Sequence, residues 1–145
     1  MLKGIDPLLG PELLSLLRTM GHGDEIAIVD GNYPAASDAR RLVRMDGHGA
    51  EVLASAILSV MPLDEDSQAA FRPGIKGNSA HEEPIMQRFQ AIVSRYEPQV
   101  KIEPLMDVVF YARVKAAFAI VASGERALYG NLVLRKGVVK PGAGQ

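Results

Sequence analysis

The sequence predicts an α/β sandwich with a mixed or largely parallel sheet. Helical and strand patterns alternate along the chain. The strand segments are apolar at consecutive positions, as in strands covered on both faces, and the helical segments between them each carry one apolar face. The 145 residues suit one domain, 1–145, long enough to bury a core and too short for two ordinary ones.

The first helix is PELLSLLRTM, with Pro11 in its first turn, leucines at 13, 14, 16 and 17 on adjoining faces, and Gly21 available as a left-handed stop. EIAIVD, residues 25–30, is rich in β-branched residues and reads as a covered strand. LVRM at 42–45 is a second strand, ending at the turn Asp46-Gly47. Val52, Leu53, Ala56, Ile57 and Val60 share one face of a helix from Glu51 to Met61, which Pro62 stops. Leu63 to Ala80 contains Pro, Gly and Asp with little periodicity and is expected to be the most mobile loop, a lid or a plain connection. In EEPIMQRFQAIVSRY, Ile85, Phe89, Ile92 and Val93 fall on one side of a helix that packs on the sheet. DVVFYARVKAA reads as a helix capped by Asp107, FAIVAS as a buried strand, and NLVLRKG as a closing strand after the turn at Gly124.

Composition excludes several function classes. Sixteen Lys plus Arg against seventeen Asp plus Glu leave a net charge of −1, and no block of one sign marks a nucleic-acid or membrane surface. With no cysteine there is no disulfide framework, thiolate nucleophile or Cys-type zinc site. No run approaches the length of a spanning helix, and MLKGIDPLLGPELL lacks the basic leader and apolar core of a signal peptide, so the expected location is cytoplasmic.

Three places could carry chemistry. His22 sits between two glycines that leave its ring unshielded, and an imidazole titrating near neutrality can give or take a proton; GHG could equally be a helix stop with a surface histidine. Asp30 ends an apolar strand before Gly31-Asn32-Tyr33-Pro34, where open α/β sheets commonly build sites, or it caps that turn. Tyr129, Gly130 and Asn131 offer a flat face, close backbone approach, and amide donors and an acceptor that suit a polyol, or a strand entry in which Tyr129 packs. Eight residue steps separate His22 from Asp30, roughly 26 Å if extended, more than a monosaccharide spans. Either the Gly-His-Gly segment folds back, or two copies of the protein share the ligand, or only one of the two side chains touches it. His48 and His81 read as loop residues whose spacing with His22 matches no metal-ligand pattern, so no metal is expected. Tyr111 and Arg113 could line a neighbouring subunit's pocket, with packing and surface charge as the simpler roles. Arg135, Lys136 and Lys140 read as a solvated terminus.

The blocks PELLSLLRTMGHGDEI, VDGNYPA, RMDG, KAAFAIVASGERALYGN and LRKGV, in this order over nearly the whole chain, resemble the RbsD/FucU family of sugar mutarotases. L-fucose mutarotase is the nearer likeness and D-ribose pyranase the more distant. The resemblance implies a three-layer α/β/α sandwich and a cofactor-free cytoplasmic isomerase that interconverts the cyclic forms of a free monosaccharide. It also implies a ring-like homo-oligomer, typically a decamer, with sites shared between neighbouring subunits. It assigns His22 as proton donor, Asp30 to sugar binding, and Tyr129, Gly130 and Asn131 to the remaining sugar-binding segment. Water, Asp30 or Tyr129 could take the second proton. At Asp107 the fucose-specific member carries an arginine that contacts substrate, so Asp107 is both a candidate sugar contact and a candidate helix cap, and the identity of the sugar is open. The competing class is a non-catalytic monosaccharide-binding or transport-accessory protein that keeps the pocket without turnover.

Overall fold

A computed structural model describes residues 1–78 and 80–142. Its elements in chain order are α1 (Pro11–Thr19), β1 (Glu25–Val29), α2 (Ala35–Asp38), β2 (Leu42–Met45), α3 (Ala50–Leu58) and β3 (Ala70–Pro73), followed by α4 (Pro84–Tyr96), β4 (Glu103–Leu105), α5 (Asp107–Ala116), β5 (Ala119–Ser123) and β6 (Leu132–Arg135). The strands form one six-stranded sheet in the order β2-β5-β1-β6-β3-β4. β2, β5 and β1 run parallel, β3 pairs parallel with β4, and β6 lies antiparallel between β1 and β3, so the sheet is mixed.

Side-chain alternation along the central strands feeds two cores. Ile26 and Ile28 of β1, Val121 of β5, and Leu132 and Leu134 of β6 pack with Leu13, Leu53, Ile57 and Phe89 of α1, α3 and α4. Ala27 and Val29, Ile120 and Ala122, and Val133 face the other way, onto Phe110 and Val114 of α5 and Ala35 of α2. The result is an α/β/α sandwich whose central strands read as near-continuous apolar runs because both faces are covered.

Three expectations from sequence are corrected here. The segment from Leu63 to Ala80, Ser79 of which lies outside the described residues, is more than a loop: it supplies β3, all four residues of which are buried. Arg72 and Pro73 hide that strand from pattern reading; the arginine is 5% exposed and tolerates burial by donating to the carbonyls of Pro73 and His81 at 3.1 and 3.2 Å. Asp107 does not cap α5. Met106 is the N-cap residue, Asp107 is already in the first turn, and no side chain bonds the free N–H groups there. Arg135 and Lys136 are structural residues, whereas Lys140 keeps an exposed pair with Glu65. Lys136 Nζ donates to the carbonyls of Leu17 and Met20 at the end of α1, satisfying acceptors the helix leaves open.

Candidate active site

β1 and β6 run antiparallel through the middle of the sheet, pairing Ile28 with Leu132 at one end and Glu25 with Arg135 at the other. That pairing builds a polar cluster at each end.

At the carboxyl end of β1, Asp30 and Asn131 are 8% and 2% exposed. They are locked to each other: Asp30 N–H donates to Asn131 Oδ1 at 2.8 Å, and Asn131 Nδ2 donates to Asp30 Oδ2 at 3.1 Å. Asn32 N–H holds Asp30 Oδ1 at 2.9 Å, and Asn131 Nδ2 also reaches the Tyr111 oxygen at 3.4 Å. Tyr111 therefore accepts from Asn131 and keeps its own hydrogen free to donate. Burial pushes the Tyr111 phenol above its ordinary range, with the charges of Asp30 and Asp107 adding to the effect. Tyr33 stacks on Tyr111 with ring centres 5.8 Å apart and donates its hydroxyl to Asp38 Oδ2 at 2.7 Å. Burial first, then Asp38, raises the Tyr33 phenol as well. Asp30, Tyr33, Asp38, Tyr111, Lys115 and Asn131 line an open cavity of about 400 Å³, the size of a small-ligand site.

Tyr129 and Gly130 adjoin this cluster in sequence but do not line that cavity. Tyr129 packs against the α1/α3/α4 core from a left-handed backbone conformation with φ 59°, unusual for a tyrosine. Gly130 is required by close approach within the protein: a Cβ there would lie 2.8 Å from Glu125 Cγ and 3.1 Å from the Ala127 carbonyl. Asp107 lies one helical turn before Tyr111 and contributes to its electrostatics, and Asp107 Oδ1 is buried without a hydrogen-bond partner.

His22 belongs to the other end. Its ring is half-exposed, and Nε2 stands 3.1 Å from Asp64 Oδ1. Asp64 is 4% exposed and takes three more hydrogen bonds: from Ser67 Oγ at 2.7 Å, Asp66 N–H at 3.1 Å and Arg135 Nε at 3.0 Å. These donors, Ser67 foremost, hold the Asp64 carboxyl well below the usual range. Facing an ionised carboxylate, Nε2 carries the hydrogen of its bond, which leaves Nδ1 to exchange a proton with a ligand. His22, Asp64 and Asp66 offer ligand atoms within 4.8 Å of one another, but Arg135 already neutralises Asp64 from its other oxygen.

The backbone does not fold His22 back onto Asp30. Gly23 N–H bonds the Lys136 carbonyl and Lys136 N–H bonds the Asp24 carbonyl, both at 2.9 Å, extending the β1–β6 ladder outward. The six steps from Asp24 to Asp30 then span roughly 20 Å. Within one chain, Asp30 and Asn131 come together, Tyr111 joins them, and His22 stands apart. Sequence reading passed over Asp64, Ser67, Tyr33, Asp38 and Lys115. Asp107, Tyr111 and Lys115 do share a signal, an i, i+4, i+8 stripe on α5. Asp64 has none, because an acidic loop residue gains its meaning only from its distant partners.

The model of the RbsD / FucU transport protein family matches residues 3–139. The chain is 41% identical over 145 residues to a Homo sapiens fucose mutarotase, covering 95% of this chain and 94% of that one. The crystal structure of the Streptococcus pneumoniae fucose mutarotase in complex with L-fucose superposes with a TM-score of 0.86 at 39% identity, covering 96% of this chain and all of the other. The Bacillus subtilis RbsD structure complexed with D-ribose shares the fold, with a TM-score of 0.71 at 21% identity over 97% of this chain and all of the other.

Proposed function

The chain belongs to the RbsD / FucU transport protein family, and from that premise we propose that it is a sugar mutarotase, an isomerase interconverting the cyclic forms of a free monosaccharide, L-fucose or a similar aldose. Likeness to fucose mutarotases, 41% and 42% identical over 95% and 97% of this chain, carries the activity. The two polar clusters support the residue roles.

Opening a hemiacetal needs a proton delivered to the ring oxygen and another removed from the anomeric hydroxyl; closure on the other face of the carbonyl reverses both. The sugar's own hydroxyl is the nucleophile on closure, so the protein supplies only proton transfers, with no redox step and no covalent intermediate. His22, steadied by Asp64, is the proton donor through Nδ1, a contribution of about 10²–10⁴ in rate. Asp30 binds the sugar and has a lone pair left on each oxygen to accept the second proton. Asn131 fixes Asp30, and Tyr111 offers its free hydrogen to a sugar oxygen. Tyr129 and Gly130 complete the segment that shapes this end. Asp107, whose Oδ1 is buried without a hydrogen-bond partner, stays the candidate further sugar contact.

His22 meets the sugar from a neighbouring copy, so the working unit is a single-domain protomer in a ring-like homo-oligomer, a decamer with shared sites. The placement of the two clusters at opposite ends of one strand pair supports this, as do the exposed apolar side chains of Met106, Val108 and Leu128, which flank Asp107 and Tyr129 in sequence. No helix among the described residues is long and apolar enough to cross a membrane.

Saturation-transfer NMR on L-fucose and related aldoses tests the activity. The wild type should exchange anomers faster than buffer, His22→Ala should not, and both should bind sugar. Binding without acceleration in the wild type would instead establish the sugar-binding alternative.

A further inference from the structure

We propose that Arg135 is a positioning residue that sets how tightly His22 holds its proton, acting through the carboxylate they share. The inference rests on His22 being the proton-transfer group. Asp64 is gripped from two sides, by His22 Nε2 at Oδ1 and by Arg135 Nε at Oδ2. An isolated carboxylate beside an imidazole favours the charged ring; a guanidinium on the same carboxylate offsets part of that field. Arg135 thus lets Asp64 orient His22 without locking the proton onto it, and a group that must both release and recover a proton works best when neither state is strongly favoured.

The guanidinium has little freedom to leave. Nη1 lies 4.0 Å from Glu25 Oε2, and the same oxygen accepts Arg113 Nη1 at 2.6 Å, with the Arg113 guanidinium stacked on the Phe71 ring. On its other side Arg135 lies against Gly23. That residue has φ 87°, and a Cβ there would stand 3.2 Å from Arg135 Nη2, so the second glycine of Gly-His-Gly admits the guanidinium beside the histidine. The charged groups around His22 are Asp64 and Asp66 from the segment before β3, Asp24 from the α1–β1 turn, and Arg135 and Lys136 from the end of β6. Asp24 is engaged by Gly21 N–H, and Lys136 by the α1 carbonyls. Arg135 is the cation that bonds the carboxylate His22 uses.

The test is the pH–rate profile of anomer exchange together with the NMR titration of the His22 ring, for wild type, Arg135→Gln and Arg135→Lys, with His48 and His81 as internal references. In folded Arg135→Gln, the profile limb governed by His22 and the His22 titration midpoint should both move up by about one pH unit. Arg135→Lys keeps the charge on one nitrogen and should fall between the other two. If Arg135→Gln does not fold, the smaller upward shift of Arg135→Lys against wild type remains the measure. Midpoints unchanged in the variants that fold, whatever happens to the rate, would overturn the proposal and leave Arg135 a scaffold residue. A wild type that accelerates no sugar would sink the mutarotase reading, while the ring titration would still judge Arg135.

Discussion

At the residue scale, Asn131 and Tyr111 separate binding from proton chemistry. Asn131→Ala removes the acceptor for the buried Asp30 N–H and a donor to its carboxylate, so unfolding free energy should fall by about 1–3 kcal/mol and sugar affinity with it, as read by denaturant unfolding and NMR titration. Tyr111→Phe keeps the stack on Tyr33 and the edge contact with Phe110 but removes the hydroxyl. Its expected signature is exchange slowed by roughly 10- to 100-fold, with thermal stability nearly unchanged. A large loss of stability instead would reassign that phenol to packing.

At the element scale, the ends of α1 and β6 are tied together by side chains. Lys136→Met should destabilise by about 1–2 kcal/mol, because the carbonyls of Leu17 and Met20 lose their donor; thermal unfolding reads this directly. Asp64 ties the segment before β3 to both the His22 turn and β6. Its folded carboxyl titrates below its unfolded value of about 4, so its contribution to stability is complete above that pH and is lost as pH falls below it. Asp64→Asn should therefore flatten the fall in stability below about pH 4. It should also cost about 1–3 kcal/mol at neutral pH, since the charge-assisted hydrogen bonds from Arg135 and His22 are weakened. Urea unfolding between pH 3 and 7 checks both.

At the scale of the whole molecule, the decisive question is whether the two clusters meet across protomers. His22→Ala and Asn131→Ala each disable one cluster. If every site takes His22 from one copy and Asn131 from the next, dissociating and reassembling an equal mixture should restore activity in about one quarter of the sites. A site contained in one chain would restore none. The exposed apolar side chains beside Asp107 and Tyr129 belong to the same expectation, and Val108→Asp, at a position 85% exposed, should lower the assembly state in sedimentation without unfolding the protomer.

The sequence by itself determined the layer architecture and one half of the chemistry. Apolar runs such as EIAIVD and FAIVAS read as covered strands, because they are short, rich in β-branched residues and bounded by turn residues, and the blocks around His22, Asp30 and Asn131 carried the family likeness. β3 and β4 were illegible: Arg72, Pro73 and Pro104 contradict local strand preference, and only pairing with β6 and each other overrides it. Tertiary structure alone decided that Asn131 grips Asp30 across 101 positions, that Asp64 and Arg135 stand behind His22, and that the imidazole sits at the far end of β1 from the cavity. Long-range hydrogen bonds leave no periodic trace in a chain. They exist only after the sheet has brought distant residues within about 3 Å, whereas hydrophobic periodicity is written wherever a single element must bury one face.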